Sequence, residues 1–260
     1  MTSSLIEHTT GAVATLTLNR PDKLNALSPE MLDQLEAAVR LIEDSADARV
    51  ILLTAAGERA FCVGADINAW GALAPMDMWR HWIRNGHRVF DRIASLRQPV
   101  IAVINGHAFG GGLELALAAD IRIAAEAAAF AMPEVSIGTV PGWGGTARLP
   151  TLIGVGRAKQ MILSGERISA ATAERWGLVN EVHPAADLRE RALALAERIA
   201  ANAPMSVQMA KQAIDSSIPG GASSARTVEA LAGALAATSE DAREGLASFR
   251  ERRPPQYHGK

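Results

Sequence analysis

Two glutamates are the residues of this 260-residue chain best suited to acid–base chemistry. Glu114 and Glu134 each lie among glycine and apolar residues, in segments that follow or end strand-like runs, where ligand sites collect in α/β sheets. An unpaired carboxylate in an apolar core is expensive, so the pair indicates a proton donor and a proton acceptor at one site. Taken singly, Glu114 could only complement the positive end of a helix, and Glu134 could be a solvated loop residue.

Three consecutive glycines, Gly110, Gly111 and Gly112, immediately precede the helix-forming sequence LELAL. The backbone N–H groups at such a loop-to-helix junction are unpaired, and no side chain blocks access to them. N–H groups in this position can stabilise an oxyanion that develops during a reaction. Taken alone, however, the same glycines are more typical of a tight turn with close strand–helix packing.

Strand and helix patterns alternate along the part of the chain that must position these residues. The alternating segment 12–18 and the short apolar runs 49–54 and 99–104 predict strands, the last two covered on both faces. Ser28 followed by Pro29 predicts the N-cap and the first position of a helix. Because the alternation continues to about residue 185, we predict an α/β fold with a largely parallel sheet.

Beyond Asp187 the strand pattern stops, and helical stretches follow near 204–214, 225–238 and 239–252. Their alanine-rich faces carry few bulky apolar side chains. We therefore expect these helices to complete their burial against another part of the chain or against another subunit. This change of pattern divides the chain into a core of residues 1–200 and a C-terminal helical region of residues 201–260.

The composition excludes several classes of protein. With 26 Lys and Arg against 28 Asp and Glu, the formal charge of −2 argues against a nucleic-acid or membrane-surface binder, because both need a concentrated basic face. The single cysteine cannot form an intrachain disulfide and fits a reducing cytoplasm. The six histidines show no metal-binding spacing, and no segment has the pattern of a signal peptide or a membrane span. We therefore expect a cytoplasmic protein without a metal ion.

Five segments of the chain carry a resemblance to one family: NRPDKLNAL, RAFCVGADI, NGHAFGGGLELALAADIRIA, FAMPEVSIGTVPGWGGTARLP and FRERRPPQY. In this order they are similar to the enoyl-CoA hydratase/isomerase, or crotonase, family, and the likeness covers nearly the whole chain. The resemblance implies an acyl-CoA thioester as substrate and a spiral of ββα repeats. It also implies a C-terminal helical region that forms a homotrimer, commonly assembled as a hexameric dimer of trimers. We expect no metal and no redox cofactor.

The resemblance also implies roles for individual residues. By the family's motifs, the backbone N–H groups of Ala65 and Gly111 form an oxyanion hole for the thioester carbonyl, and Glu114 and Glu134 are the paired catalytic glutamates. Gly142 matches a glycine whose backbone places the reacting water or Glu134. The residues implied to contact coenzyme A are Lys23, Ala26, Arg59, Ala65, Asp66 and Ile67, together with Phe249 and Arg252, which match positions that reach a neighbouring subunit's coenzyme A.

The predicted activity is that of an enoyl-CoA hydratase, which adds water across the C2=C3 bond of a 2-enoyl thioester. We assign Glu114 as the base toward water and Glu134 as the acid toward C2, with the roles exchanged in dehydration. Two carboxyls that flank one water cannot easily both ionise in a dry pocket, so the pair should hold about one proton at neutral pH. The alternatives are a Δ3,Δ2-enoyl-CoA isomerase, for which one glutamate suffices, and a non-catalytic acyl-CoA-binding or RNA-binding scaffold.

Several other residues have two interpretations. Trp143 stands where many family members carry a small residue, and it either narrows the acyl pocket or packs outward under the helical region. Trp70 lies in the segment that lines the acyl tail in the family, and Asn68 replaces a frequent lysine, a departure that concerns one phosphate contact. We interpret His107 and Cys62 as structural, because Cys62 has no obvious histidine partner.

Overall fold

The alternating pattern of the sequence builds two β-sheets in the computed structural model, which describes residues 5–71 and 73–260, with the side chains of 217–225 outside the description. The strands are β1 (Ile6–Thr9), β2 (Val13–Leu18), β3 (Val50–Ala55), β4 (Ala60–Cys62), β5 (Val100–Ile104), β6 (His107–Phe109), β7 (Ile121–Ala125), β8 (Ala129–Ala131), β9 (Ile168–Ser169) and β10 (Glu181–His183). Six of them form one sheet in the order β1-β2-β3-β5-β7-β10, and four form the other in the order β4-β6-β8-β9.

The predicted parallel arrangement is confirmed. β2, β3, β5, β7 and β10 run parallel to one another, and the edge strand β1 pairs antiparallel with β2. In the smaller sheet β4, β6 and β8 are parallel, and β9 closes the edge antiparallel to β8. Because parallel strands end at the same edge of a sheet, the loops after β4, β6 and β8 come together, and these loops carry the candidate site.

Helices cover the sheets. They are α1 (Pro29–Glu43), α2 (Ile67–Trp70), α3 (Pro75–Asp77), α4 (Arg84–Ala94), α5 (Gly111–Leu117), α6 (Gly145–Ile153), α7 (Val155–Ser164), α8 (Ala170–Trp176), α9 (Leu188–Ala200), α10 (Pro204–Ala236) and α11 (Glu240–Glu251). A π-helical segment, Met78–Ile83, joins α3 to α4, and a 3-10 turn, Glu134–Ile137, follows β8. The helical signals that follow the strands in the sequence are thus confirmed.

The N-terminus of α1 and the burial of β3 agree with the predictions from the sequence. Ser28 caps α1 by accepting a hydrogen bond from the backbone N–H of Met31 at 3.2 Å, and Pro29 occupies the first helical position. The apolar strand β3 is buried on both faces. One face joins the main core, and the other packs with α9, where Val50 and Leu52 share a cluster with Leu188.

The C-terminal part of the chain is helical, as predicted, but its first two predicted stretches are one helix. α10 runs without interruption from Pro204 to Ala236, whereas the sequence suggested separate stretches near 204–214 and 225–238. The low helix propensity of the Pro and Gly residues between them hides this continuity from a sequence pattern. Lys211 fixes α10 to the sheet by an ion pair with Asp120 at 2.7 Å.

The division of the chain at residue 200 into two domains stays a prediction. Within residues 5–71 and 73–260, no helix has both the length and the apolar character that crossing a membrane requires.

Candidate active site

Glu114 projects from the first turn of α5 into the interior, where its residue surface is 2% exposed. Its Oε1 accepts hydrogen bonds from the backbone N–H groups of Trp143 at 2.7 Å and Gly145 at 2.8 Å. Burial raises the pKa of this carboxyl, and the amides of Gly145, Trp143 and Gly142 oppose that rise. One carboxylate oxygen is therefore fixed by the loop before α6, while the group remains harder to ionise than a free glutamate.

Glu134 begins the 3-10 turn that follows β8 and lies against the glycine loop. A Cβ at Gly110 would stand 2.7 Å from Oε1 of Glu134, and the positive φ of 50° at Gly110 also favours glycine there. The other oxygen, Oε2, is buried and has no hydrogen-bond partner among the described residues. Burial raises the pKa of Glu134 to about 7, and the negative charge of Glu114 acts in the same direction.

Both glutamates line one cavity, which is the arrangement on which the sequence-based prediction depends. The cavity has a volume of about 220 Å³. It is smaller than the roughly 300–1,000 Å³ of pockets that enclose drug-sized ligands. Apart from the two glutamates, its wall comprises Val63, Gly64, Ala65, Ile67, Trp70, Met78, Trp82, Ile83, Gly110, Gly111, Pro133, Ser136, Ile137, Thr139, Val140, Gly142 and Trp143.

The loops that carry Ala65 and Gly111 are in direct backbone contact at this cavity. A Cβ at Gly64 would lie 3.1 Å from the carbonyl oxygen of Phe109 and 3.3 Å from the amide nitrogen of Gly111. In the described part of the chain, the N–H groups of Ala65 and Gly111 donate to no other protein group. Two free donors on adjoining loops are thus available to a ligand oxygen in the cavity.

The close-packing interpretation of the triple glycine also holds. A Cβ at Gly112 would overlap with the carbonyl group of Cys62, so α5 can approach β4 only with glycine at this position. The same glycine run therefore serves both purposes that the sequence left open, because close approach is what brings the Gly111 amide to the cavity.

Some of the residues predicted to contact coenzyme A lie at the cavity, and others lie on the exposed surface. Ala65, Ile67 and the half-buried Asp66 lie at the cavity or its rim, and Ile67 is 59% exposed. The segment that carries Lys23 and Ala26 is joined to this rim by hydrogen bonds between the main chains of residues 24–27 and 63–66. Lys23 and Arg59 are exposed, whereas Phe249 and Arg252 lie at the exposed end of α11, away from the cavity wall of the same chain.

Arg20 is a rim residue that sequence reasoning missed. Its guanidinium forms an ion pair with Asp66 at 2.8 Å and donates to the carbonyl oxygen of Ala26 at 3.0 Å. The hydrogen bond and charge of Arg20 hold the pKa of Asp66 below its ordinary value. Arg20 is the second residue of the NRPDKLNAL segment, but a single arginine in a turn carries no signal of a partner 46 residues away.

The residues that line the cavity include three tryptophans. Trp70 and Trp143 both line it, as does Trp82. Trp143 is 3% exposed and packs inward beneath α4, so the outward-packing interpretation is wrong.

Two other residues are placed as structural groups. His107 stacks on Phe109 with ring centroids 5.2 Å apart, outside the cavity wall. Cys62 is fully buried, and burial raises the pKa of its thiol to about 12. Among the described residues, no group of three or more His, Cys, Asp or Glu side chains is placed to hold a metal ion.

A model of the enoyl-CoA hydratase/isomerase family matches residues 8–260 of the chain. The chain belongs to this family. Among solved structures, the enoyl-CoA hydratase from Bacillus anthracis superimposes with a TM-score of 0.95 at 42% identity, covering 99% of this chain and 100% of that one. The predicted family and the crotonase fold are therefore confirmed.

Relatives in sequence agree with this family membership. The short-chain-enoyl-CoA hydratase of Clostridium acetobutylicum is 40% identical over 243 residues, which cover 94% of this chain and 93% of that protein. The crotonyl-CoA hydratase of Syntrophomonas wolfei is 37% identical over 248 residues, which cover 95% of each. The likeness extends over the candidate site and the C-terminal helices alike.

Proposed function

We propose that this member of the enoyl-CoA hydratase/isomerase family is an enoyl-CoA hydratase, which adds water reversibly across the C2=C3 bond of a 2-enoyl thioester of coenzyme A. One observation carries the proposal: Glu114 and Glu134 share a single small cavity with the N–H groups of Ala65 and Gly111. The relatives named as enoyl-CoA, short-chain-enoyl-CoA and crotonyl-CoA hydratases support the same activity.

The proposed reaction uses both carboxyls and both amides. Water loses a proton to Glu114, and its oxygen forms a bond to C3 of the substrate. The electrons of the C2=C3 bond move toward the thioester, whose oxygen gains negative charge beside the N–H groups of Ala65 and Gly111. A proton from Glu134 then completes C2. Donors aimed at such an oxygen contribute about 3 to 4 kcal/mol of barrier reduction in related chemistry.

Burial raises the pKa of both carboxyls, so the cavity disfavours two negative charges at once. At Glu114 the hydrogen bonds from Trp143 and Gly145 oppose that rise, and they leave one of its oxygens for water. Glu134 lacks such donors on Oε2, and its pKa of about 7 allows it to hold a proton at neutral pH. The pair can therefore carry about one proton between its two members.

Hydration of crotonyl-CoA, followed by the loss of the enoyl absorbance, tests the proposed activity. We expect turnover, because crotonyl-CoA already has the C2=C3 bond that water attacks. A Δ3,Δ2-enoyl-CoA isomerase would leave this substrate unchanged but convert a 3-enoyl-CoA. A non-catalytic scaffold would bind the thioester without turning it over, and either result would contradict the proposal.

The remaining assignments belong to the same proposal. Contacts of Lys23, Arg59, Asp66 and Ile67 with coenzyme A belong to the proposal, and it requires neither a metal nor a redox cofactor. Phe249, which is 84% exposed, and the other large apolar side chains exposed on α10 and α11 support a homotrimer or a homohexamer in which these helices meet a neighbouring subunit. A cytoplasmic location is part of the proposal, although some relatives are named as mitochondrial.

A further inference from the structure

The side chain of Trp143 is buried and lines one side of the cavity. Its ring lies 5.2 Å from that of Trp82 in a tilted arrangement and 5.3 Å from that of Phe90 in an edge-on arrangement. Its Nε1 donates to the carbonyl oxygen of Trp82 at 3.4 Å, so the buried N–H group has a partner. The rings and this hydrogen bond hold the indole in one orientation.

The six-membered ring of this indole faces the proposed oxyanion hole. A Cβ at Gly111 would meet the indole carbons Cζ3 and Cε3 at 2.6 and 2.7 Å, and on the same side it would lie 3.5 Å from the amide nitrogen of Ala65. The indole therefore stands immediately beside the place where the thioester carbonyl would bind. The main chain of the same residue holds Glu114, so the wall is fixed relative to the base.

Gly86 on α4 leaves the space that the indole of Trp143 fills. A Cβ at Gly86 would overlap with Nε1, Cδ1 and Cε2 of Trp143. Glycine in a helix interior is unfavourable relative to alanine, and Gly86 is buried with no positive φ that would require glycine. The space that a methyl group would fill is taken by the indole, so Gly86 and Trp143 form a complementary pair.

We propose that this Gly86–Trp143 pair determines the acyl specificity of the enzyme by closing the cavity beside the reacting carbons. The proposal rests on the proposed function and deepens it. Because the indole fills space that would otherwise be continuous with a cavity of about 220 Å³, the site accepts short, straight 2-enoyl groups. Longer chains are excluded by the indole and by the rings of Trp82 and Phe90 behind it.

Replacing the indole by a smaller apolar group tests the proposal. Trp143→Leu retains an apolar side chain between Trp82 and Phe90 but removes the ring beside Gly111. We expect the ratio of kcat/KM for 2-octenoyl-CoA to that for crotonyl-CoA to rise at least about tenfold relative to wild type. Trp176→Leu, the same change on α8, should leave this ratio unchanged. A wild type that uses both substrates equally well, or an unchanged ratio in Trp143→Leu, would overturn the proposal.

A binding measurement separates this proposal from the proposed activity. Dissociation constants of the saturated thioesters butyryl-CoA and octanoyl-CoA require no turnover, and Trp143→Leu should shift their ratio at least about tenfold in favour of octanoyl-CoA. If wild type binds butyryl-CoA but hydrates no 2-enoyl-CoA, the proposed function is wrong while the specificity proposal is still decided by these constants. An unshifted ratio overturns the specificity proposal alone.

The glycine partner supplies an independent test of the geometry. Gly86→Ala should lower the thermal midpoint and raise the KM for crotonyl-CoA, because its methyl group displaces the indole toward the cavity. In the Trp143→Leu background the same Gly86→Ala change should be tolerated, because the overlapping ring is gone. Equal effects of Gly86→Ala in both backgrounds would contradict the pairing.

Discussion

Replacing Glu134 by glutamine should stabilise the folded protein, and the gain should grow with pH. Glutamine retains the shape of the protonated carboxyl but cannot ionise. In the wild type, burial raises the pKa of Glu134 from 4.5 to about 7, so the folded state resists the ionised form. The contribution of this group to stability is fully present below pH 4.5 and is lost as the pH rises through about 7.

The size of the effect follows from these two pKa values. One pKa unit corresponds to about 1.4 kcal/mol, so complete ionisation of Glu134 costs the wild type at most about 3 kcal/mol. The side chain keeps some contact with solvent, which screens its charge, and about 2 kcal/mol is the change expected between pH 5 and pH 8. The free energy of unfolding of Glu134→Gln should exceed that of the wild type by this additional amount at pH 8.

Urea denaturation followed by far-UV circular dichroism at pH 5, 6, 7 and 8, at one protein concentration, measures this difference. Glu174→Gln, on the exposed face of α8, is the control for removal of one negative charge, and its difference from wild type should stay small at every pH. A difference for Glu134→Gln that is constant from pH 5 to pH 8 would refute the reasoning, since it would show that the cavity does not raise the pKa of this carboxyl.

Three further changes test the packing that positions the site. Gly112→Ala should lower the free energy of unfolding by about 1 to 3 kcal/mol, because its methyl group overlaps with the carbonyl of Cys62; urea denaturation checks this. Lys211→Met should lower the free energy of unfolding by about 3 kcal/mol and increase amide hydrogen exchange in α10, because it leaves Asp120 without its 2.7 Å ion pair. Unchanged exchange would contradict the role of this ion pair in holding α10. Ser28→Ala should lower the unfolding free energy by about 1 kcal/mol through loss of the α1 N-cap, and the thermal midpoint measures it.

Much of the fold was accessible from local patterns. A continuous apolar run predicts the strand β3. Two adjacent residues with local effects, Ser28 and Pro29, predict the start of α1. Glu114 and Glu134 were also accessible as the proposed acid–base pair, because both are polar residues in apolar, glycine-rich segments. These features can be predicted from the sequence because each depends on residues that are adjacent in the chain.

Other features of the site depend on contacts between distant segments. The ion pair of Arg20 with Asp66 and the overlap that excludes alanine at Gly86 are properties of the packed structure. The sequence likewise left two orientations open for Trp143, because an aromatic residue in a glycine loop is equally compatible with either. Only the position of α4 against that loop decides between them.

The turnover of Glu114→Gln and Glu134→Gln with crotonyl-CoA tests most directly whether two carboxyls act together on one water. Each change should lower kcat by about 10²- to 10⁴-fold, since each removes one partner of the proton transfer. The double variant should be little worse than the poorer single variant, because the two groups act as a unit. A loss of only a few-fold in either single variant would contradict the account.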